Sequence, residues 1–588
     1  MNITTRDIPP RAVWALEQAG IHPLLARLYA ARGIASPDEL DNHLAKLLPP
    51  ATLTQADAAA RLLADALDQQ HTICIVADYD CDGATACAVG LRGLRMLEAG
   101  MARHRQRDAQ PDLIRYLVPD RVTDGYGLTP AIAQRVHTSG ARVLMTVDNG
   151  IASMDGVHTA RALGLQVLVT DHHLPAVVNG QVVVPTDCVT VNPNQPGCAF
   201  ESKAMAGVGV VFYVLLALRA ELRTRGVFTA DTPQPKLDQL LPLVALGTVA
   251  DVVRLDANNR RLVAQGLQRV RAGVMPPGLA ALLQVAGCKA AQASARDFGF
   301  GVGPRLNAAG RLSDMTLGIE CLSTDDTARA LELAGVLDGI NRERKTIEGA
   351  MRTQALQLAD EMLDDSEEPP PALCVFDPDF HEGVVGIVAS RLKDKLHRPT
   401  FVFAMSQAEG HEHELKGSGR SIPGFHLRDA LDLVAKRCPG VLLRFGGHAM
   451  AAGCTIDADR LDEFEAALQQ VAHEWLDPAT LTRSLATDGP LDKQHRRIDV
   501  ADALEQQVWG QGFPPPAFSE ELEVLSQRLV ADKHLALKLR HQGDPVDAMW
   551  FGRTEPLPAR VTLAFRLDAD EWQGQRRLRF RIEAAEGV

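Results

Sequence analysis

The stretch His71–Gly83, HTICIVADYDCDG, begins with a run of apolar, partly β-branched residues and stops abruptly in acid. Residues 72 to 77 read as a strand buried on both faces, because a continuous apolar run of this length bounded by polar residues suits a parallel sheet. Three aspartates follow at alternate positions, Asp78, Asp80 and Asp82, and then Gly83. In extended chain, residues i and i+2 share a face, so these carboxylates crowd together and repel unless a cation sits among them. A solvated acidic loop would account for each aspartate singly. Their place directly behind a buried-type strand favours the cation.

The theme repeats downstream. LIRYLVPD, ARVLMTVDNG, LQVLVTDHH and DCVTVNPN are each a short β-branched or Leu-rich run closing on polar residues, with helical patterns between most of them. Strands alternating with helices predict an α/β, doubly wound parallel sheet, and such sheets gather their chemistry beyond the carboxyl ends of the strands. Asp148 closes one run, Asp171, His172 and His173 close the next, and Asp251, after LVALGTVA, reads as a further strand end. A lone Asp there is often a helix N-cap, and a lone His is usually structural. Several strand-end carboxylates with a histidine pair in one α/β unit are better explained as ligands. Oxygen donors mixed with imidazole suit Mn2+ or Mg2+, and the absence of thiolates disfavours structural zinc.

Around this unit the 588 residues divide by pattern into a helical cap (1–50), the α/β unit (51–324), a long connecting helix with the acidic linker DDSEEPPP (325–370), a second α/β unit (371–475) and a C-terminal region (476–588). In that last region the period changes to short alternating strands with turns, which predicts a small β-barrel of OB type.

A net charge of −13 argues against a protein that coats nucleic acid by bulk positive charge. From 353 to 390 there are nine acids and no Lys or Arg, so much of the excess sits in the linker region, and 49 of the 61 basic residues are arginines. Any polyanion is therefore met by metals and a few arginines, whose planar fork suits phosphate. The ten cysteines form no CxxC pair, as expected of scattered thiols in a reducing cytoplasm. There is no signal-peptide pattern and no apolar run long enough to span a membrane. The expectation is a cytoplasmic protein with no membrane partner.

DYDCDG, VDNG, DHH and GTVAD, in this order, resemble the four motifs of the DHH phosphoesterase superfamily. PDRVTDGYGL, VNPNQPGC, GPRLNAAGRLSDM and FHEGVVGIVASRL are similar to the RecJ exonuclease branch of that superfamily, and GSGRS with FGGHAMAAG resembles its DHH-associated domain. The motifs run from about residue 20 to 475, and the barrel follows by pattern only. One departure is FGGH where shorter superfamily members carry three glycines before the histidine.

The resemblance implies two divalent ions, Mn2+ or Mg2+, and a phosphodiester hydrolysed between them. It assigns Asp148 as the bridge, Asp78 and Asp80 to one ion, and Asp82, His172 and Asp251 to the other. Asp171 orients a ligand histidine, and His173 contacts the scissile phosphate as general acid or charge stabiliser. Glycine-rich segments are usually turns, but here Ser418, Arg420, Gly446, Gly447 and His448 are read as the phosphate-binding face of the second unit. Arg121 and Arg311 are added as phosphate contacts, and Asn307 is expected near the site.

The implied activity is a 5'-to-3' exonuclease that releases 5'-mononucleotides from single-stranded DNA in recombination and repair. Expected partners are a single-strand-binding protein and a helicase, with the chain itself a monomer. In the barrel, Trp550, Trp572, Arg577, Arg579 and Arg581 could form a stacking and cationic track, while Phe565 and Phe580 fit a track or a barrel core equally. The alternatives are a superfamily phosphodiesterase acting on short oligoribonucleotides or cyclic dinucleotides, and a non-catalytic single-strand-binding protein.

Overall fold

The computed structural model describes every residue except 121–123, 179–180, 231, 365–369, 478–479, 573–574 and 588. It divides into two compact units, one of residues 7–341 with 497–516, the other of residues 1–6, 342–496 and 517–588.

The first unit is built on five parallel strands, in the order Ile114–Leu117, Ile73–Ala77, Val143–Val147, Gln166–Thr170, Val189–Val191. In chain order this is 2-1-3-4-5, a doubly wound arrangement whose direction of winding reverses between the first and third strands. Ligand crevices form at that switch point. Asp78 follows the first of these two strands and Asp148 follows the other. Asn149 ties the pair together, its Nδ2 donating to the carbonyls of Val76 at 3.1 Å and Val147 at 2.9 Å. Helices Ala56–Asp68, Cys81–His104 and Gly207–Thr224 pack over the sheet in one continuous apolar core.

One expectation is corrected. The segment before Asp251 is not a strand but the helix Leu241–Ala250, with Asp251 as its C-cap. LPLVALGTVA is apolar and buried almost all round, so its sequence carries neither an alternating nor a 3.6-residue pattern, and periodicity alone does not separate the two.

In the second unit, the strands run Arg444–Gly447, Ala451–Asp457, Glu414–Arg420, Thr400–Met405, Leu373–Phe376, with only the last pair parallel. The helix Val385–Leu396 packs against the strands Thr400–Met405 and Glu414–Arg420. The expected long connecting helix is Thr327–Asp364, and its residues fall partly in each unit. The C-terminal strands close into a barrel in the order Phe518–Val530, His534–His541, Asp544–Phe551, Gln575–Ala585, Arg560–Trp572, the 1-2-3-5-4 connectivity of an OB-fold. Phe565 and Phe580 are fully buried and stack at 4.0 Å, so they fill the barrel core. The N-terminal residues Asn2–Thr5 form a strand that pairs in parallel with Ser484–Thr487.

Candidate metal centre

Beyond the switch point, donor atoms of Asp78, Asp80 and Asp148 lie within 4.8 Å of one another, as do those of Asp82, His172 and Asp251, and those of Asp148, His172 and His173. Asp148 belongs to two of the groups and His172 links it to the others: Nε2 of His172 is 3.1 Å from Asp148 Oδ1, 3.5 Å from Asp251 Oδ2 and 3.9 Å from Asp82 Oδ2.

The local chain holds each donor in place. Asp80 caps the helix Cys81–His104, its Oδ1 accepting from Gly83 N at 2.9 Å. Gly83 must lack a side chain, because a Cβ there would stand 2.6 Å from the carbonyl oxygen of Asp78. Asp82 takes two amides from the start of helix Gly207–Thr224, Gly207 N on Oδ2 at 2.6 Å and Val208 N on Oδ1 at 2.9 Å. A helix N-terminus is where a carboxylate is electrostatically welcome. Asp148 adopts a left-handed backbone, φ 62°, which is uncommon for any residue with a Cβ and recurs at functional sites. Asp251 stands at a helix C-terminus, where the dipole repels a carboxylate, so its position calls for a cation.

The electrostatics say the same. Burial, and then the charge of Asp80, push Asp82 up to about 7. Burial first and neighbouring carboxylates second drive Asp78, Asp148 and Asp251 well above the usual carboxylate range. Asp148 Oδ1 and Asp251 Oδ2 are buried and accept no hydrogen bond among the described residues. Buried carboxylate oxygens that neither hydrogen-bond nor face a Lys or Arg are destabilising unless a cation compensates them. The donor set, all carboxylate oxygen and imidazole, fits Mg2+ or Mn2+.

Asp171 has a different task. Its Oδ1 accepts the amides of His172 at 2.7 Å and His173 at 3.1 Å and lies 2.7 Å from His173 Nδ1, while Oδ2 accepts Ile151 N at 2.9 Å. The ring it orients is therefore His173 rather than His172. Burial alone would raise Asp171; these bonds and the imidazole charges outweigh it and hold the carboxyl low. Burial likewise opposes an imidazolium at His173, yet the Asp171 bond and the surrounding carboxylates push it up to about 9.

Several further residues support the donors. Asn194 Nδ2 donates to the carbonyl of His172 at 2.6 Å and Asn192 Nδ2 to that of His173 at 3.0 Å, so VNPN braces the histidine pair. Tyr126 Oη donates to the carbonyl of Asp148 at 3.3 Å. A Cβ on Gly207 would meet Asp148 Oδ1 at 2.6 Å, and one on Gly310 would meet the carbonyl oxygen of Tyr79 at 1.7 Å. Gly310 lies in GPRLNAAGRLSDM, whereas Gly207 lies in none of the motifs. Asn307 is near the site in a specific way, its Oδ1 accepting Cys81 N at 2.8 Å and so bracing the acidic loop. Arg311 lies half-buried near the end of helix Gly303–Leu312. Arg121 lies outside the described residues.

In the second unit, GSGRS is not a turn but part of the strand Glu414–Arg420. The glycines face Phe403 and Phe401, which a Cβ on Gly417 or Gly419 would meet at 2.3 and 2.5 Å. Ser418 and Arg420 alternate onto the opposite face, bonded to each other at 3.1 Å, beside Gly386 in the first turn of helix Val385–Leu396. Gly446, Gly447 and His448 are exposed. Gly447 is demanded by its φ of +135° and by Ala452 packed against it, whereas a Cβ on Gly446 would meet open space.

In the barrel, Arg577, Arg579 and Arg581 alternate with Leu578, Phe580 and Ile582, but the cationic face is partly neutralised. Arg579 pairs with Asp570 at 2.7 Å and Asp568 at 3.1 Å, and Arg581 lies 3.4 Å from Glu583. Trp550 is half-buried under the guanidinium of Arg553 at 4.7 Å, and Phe551, exposed, lies 5.4 Å from that of Arg579. The side chain of Trp572 lies outside the described residues.

Comparison with known proteins agrees with this layout. The DHH family N-terminal domain matches residues 72–248, the DHHA1 domain residues 370–474 and the RecJ OB domain residues 487–584. The single-stranded-DNA-specific exonuclease RecJ of Escherichia coli K12 is 43% identical over 574 residues, covering 96% of each chain. The crystal structure of RecJ from Thermus thermophilus in complex with Mn2+ superposes with a TM-score of 0.80 at 28% identity, covering all of this chain and 80% of that one. A second structure of the same protein, in complex with Mg2+, gives 0.74, covering 99% of this chain and 78% of that one at the same identity. With near full-length identity to one relative and three matched domains in order, the chain belongs to the RecJ family of single-stranded-DNA-specific exonucleases.

Proposed function

We infer that this chain is a divalent-metal-dependent exonuclease that degrades single-stranded DNA, and we propose that it works from the 5' end and releases 5'-mononucleotides. The observation that carries the reading is the buried cluster of three donor groups joined through Asp148 and His172, at the switch point of a doubly wound sheet. Asp78, Asp80 and Asp148 would hold one Mn2+ or Mg2+, and Asp82, His172 and Asp251 the other, with Asp148 between them. When bound, two such ions supply the positive charge that an in-line displacement needs at both its attacking and its leaving oxygen.

The chain's own residues do the rest. Gly207 and Val208 fix the Asp82 carboxylate, and Asn194 with Asp171 fixes the backbone of the histidine pair. His173 has its Nδ1 committed to Asp171, so its contact with a substrate oxygen is made through Nε2, as proton donor or as local positive charge. Ser418 and Arg420, on one strand face at the start of a helix, suit a phosphate, and Gly446, which the fold does not require to be glycine, leaves room for one beside Gly447 and His448. Arg311 and Arg121 are proposed as further phosphate contacts, and Asn307 as a brace for the acidic loop. In the barrel, Trp550, Phe551 and the partly neutralised Arg577, Arg579 and Arg581 are proposed to follow a single strand, with Trp572 alongside.

Single-stranded DNA is the substrate partner. A single-strand-binding protein, a helicase that exposes the strand, a role in recombination and repair, a monomeric state and a cytoplasmic location are proposed with it. No helix among the described residues is long and apolar enough to cross a membrane. Digestion of 5'- and 3'-labelled single and double strands, with each metal in turn, tests the reading. Label should leave 5'-labelled single strands first as mononucleotide, and release from duplex or from the 3' end first would contradict it.

A further inference from the structure

The chain between the second α/β domain and the barrel, residues 497–516, belongs to the unit that carries the metal centre, whereas the residues on either side of it do not. It contains the helix Ile498–Glu505 and then VWGQGFPPP. Trp509 and Phe513 are buried, stack at 5.4 Å, and enclose Tyr29, whose ring lies 5.7 and 6.1 Å from theirs. Arg260 lies over Phe513 at 4.4 Å, and Arg32 Nε donates to the carbonyl of Pro514 at 2.6 Å.

This strap meets the chain just after Asp251. Leu255 N donates to the carbonyl of Gln511 at 2.8 Å. A Cβ on Gly510 would stand 2.7 Å from Leu255 Cδ1, and one on Gly512, whose φ is +68°, would stand 2.6 Å from Arg254 Cγ. Arg254 and Leu255 are further pinned through their carbonyls by Asn259 Nδ2 and Arg260 Nη1, both at 2.9 Å. Between Asp251 and this clamp lies Val252, a β-branched residue at φ 60° and 63% exposed. That left-handed conformation is disfavoured for a β-branched residue, and the exposed side chain recovers little of the cost by burial. Something outside the residue must hold it.

We propose that the strap is a working part of the metal centre: Trp509, Gly510 and Gly512 are positioning residues that fix the turn Val252–Leu255 and through it the Asp251 carboxylate. The inference rests on the reading of Asp251 as a metal ligand. A turn released from the strap can relax Val252 toward an ordinary backbone, and a carboxylate at a helix C-terminus then has every electrostatic reason to swing away.

The test is Mn2+ binding to the full chain without DNA, followed by electron paramagnetic resonance, in Asp251→Ala, Trp509→Ala, Trp509→Phe and Gly512→Val. Trp509→Ala and Gly512→Val should weaken one of the two ions about 10- to 100-fold, the size of a lost supporting contact. The other ion should keep its affinity, and Trp509→Phe should bind nearly as the parent does. Parent-like binding of both ions by Trp509→Ala, with its melting temperature and circular dichroism intact, would overturn the proposal; if that variant does not fold, the same result with Gly512→Val decides. Parent-like binding in Asp251→Ala would instead overturn the reading of the ligand itself.

Discussion

The carboxylate of Asp82 is gripped by the amide of Gly207, 125 residues away in sequence, at 2.6 Å. The same glycine leaves the space that Asp148 Oδ1 occupies. Gly207→Ala would therefore displace a carboxylate of each proposed ion while changing the core by one methyl. We expect a loss of about 10²-fold in single-strand digestion, the usual consequence of an ångström-scale misplacement, with folding retained. Steady-state rates beside a thermal melt check it.

Asp171 and His173 separate orientation from ligation. Asp171→Asn keeps the shape but weakens the bond to His173 Nδ1, and should slow digestion about 10- to 100-fold while leaving Mn2+ affinity within a few-fold. His173→Ala removes the group itself and should cost about 10²- to 10⁴-fold. Equal loss of Mn2+ binding in both would show that His173 is a ligand instead.

Arg420→Ala should reduce the preference for 5'-phosphorylated over 5'-hydroxyl ends about tenfold or more, since a charge-assisted contact to phosphate is worth about 1.5–3 kcal/mol. Mn2+ affinity should not change. Competition between the two kinds of end measures it, and an unchanged preference would remove Arg420 from the phosphate site.

The position of a C-terminal truncation matters. Ending the chain at Pro516 removes the barrel and spares the strap. Short oligomers should then be cut at near-parent rates, and affinity for long strands should fall by about 1–3 kcal/mol per stacked base lost. Ending it at residue 479 also removes Trp509 and Phe513, and should abolish cutting of both. Long and short substrates losing equally in the Pro516 truncation would make the barrel structural.

Barrel stability should depend on pH through Glu520. Its Oε1 accepts Leu491 N at 2.9 Å and lies 3.0 Å from Nε2 of the buried His541. Burial raises Glu520, but these bonds outweigh it and leave the carboxyl below its ordinary value. A lowered folded-state pKa means stabilisation that is complete above the unfolded value of about 4.3 and lost as pH falls through the folded one. Glu520→Gln should therefore cost about 1 kcal/mol near neutrality after solvent screening, and the difference from parent should begin to shrink only as pH falls below about 4.3, toward the lowered folded-state value. Calorimetry across pH tests this.

Much of the catalytic unit was legible in the sequence because its donors sit where strands stop. Asp78, Asp148 and Asp171 each end an apolar run, and a strand buried on both faces announces itself. Asp251 was singled out as a candidate donor but on the wrong kind of element, since an all-apolar decapeptide has no periodicity to read. The amides on Asp82 and the strap under Leu255 were not legible. Each joins residues far apart in sequence through backbone groups or packing, which every residue type can supply. The barrel arginines show the opposite error: Arg579 looks cationic along its own strand and is paired by Asp568 and Asp570 on the next.

Asp148 is shared by two of the donor groups and is proposed to join them into one reacting site. Mn2+-dependent digestion of 5'-labelled single-stranded DNA by Asp148→Ala tests it most directly. Losing several kcal/mol of charge stabilisation predicts a fall of at least about 10³-fold in a protein that still folds; activity near that of the parent would contradict the two-metal account.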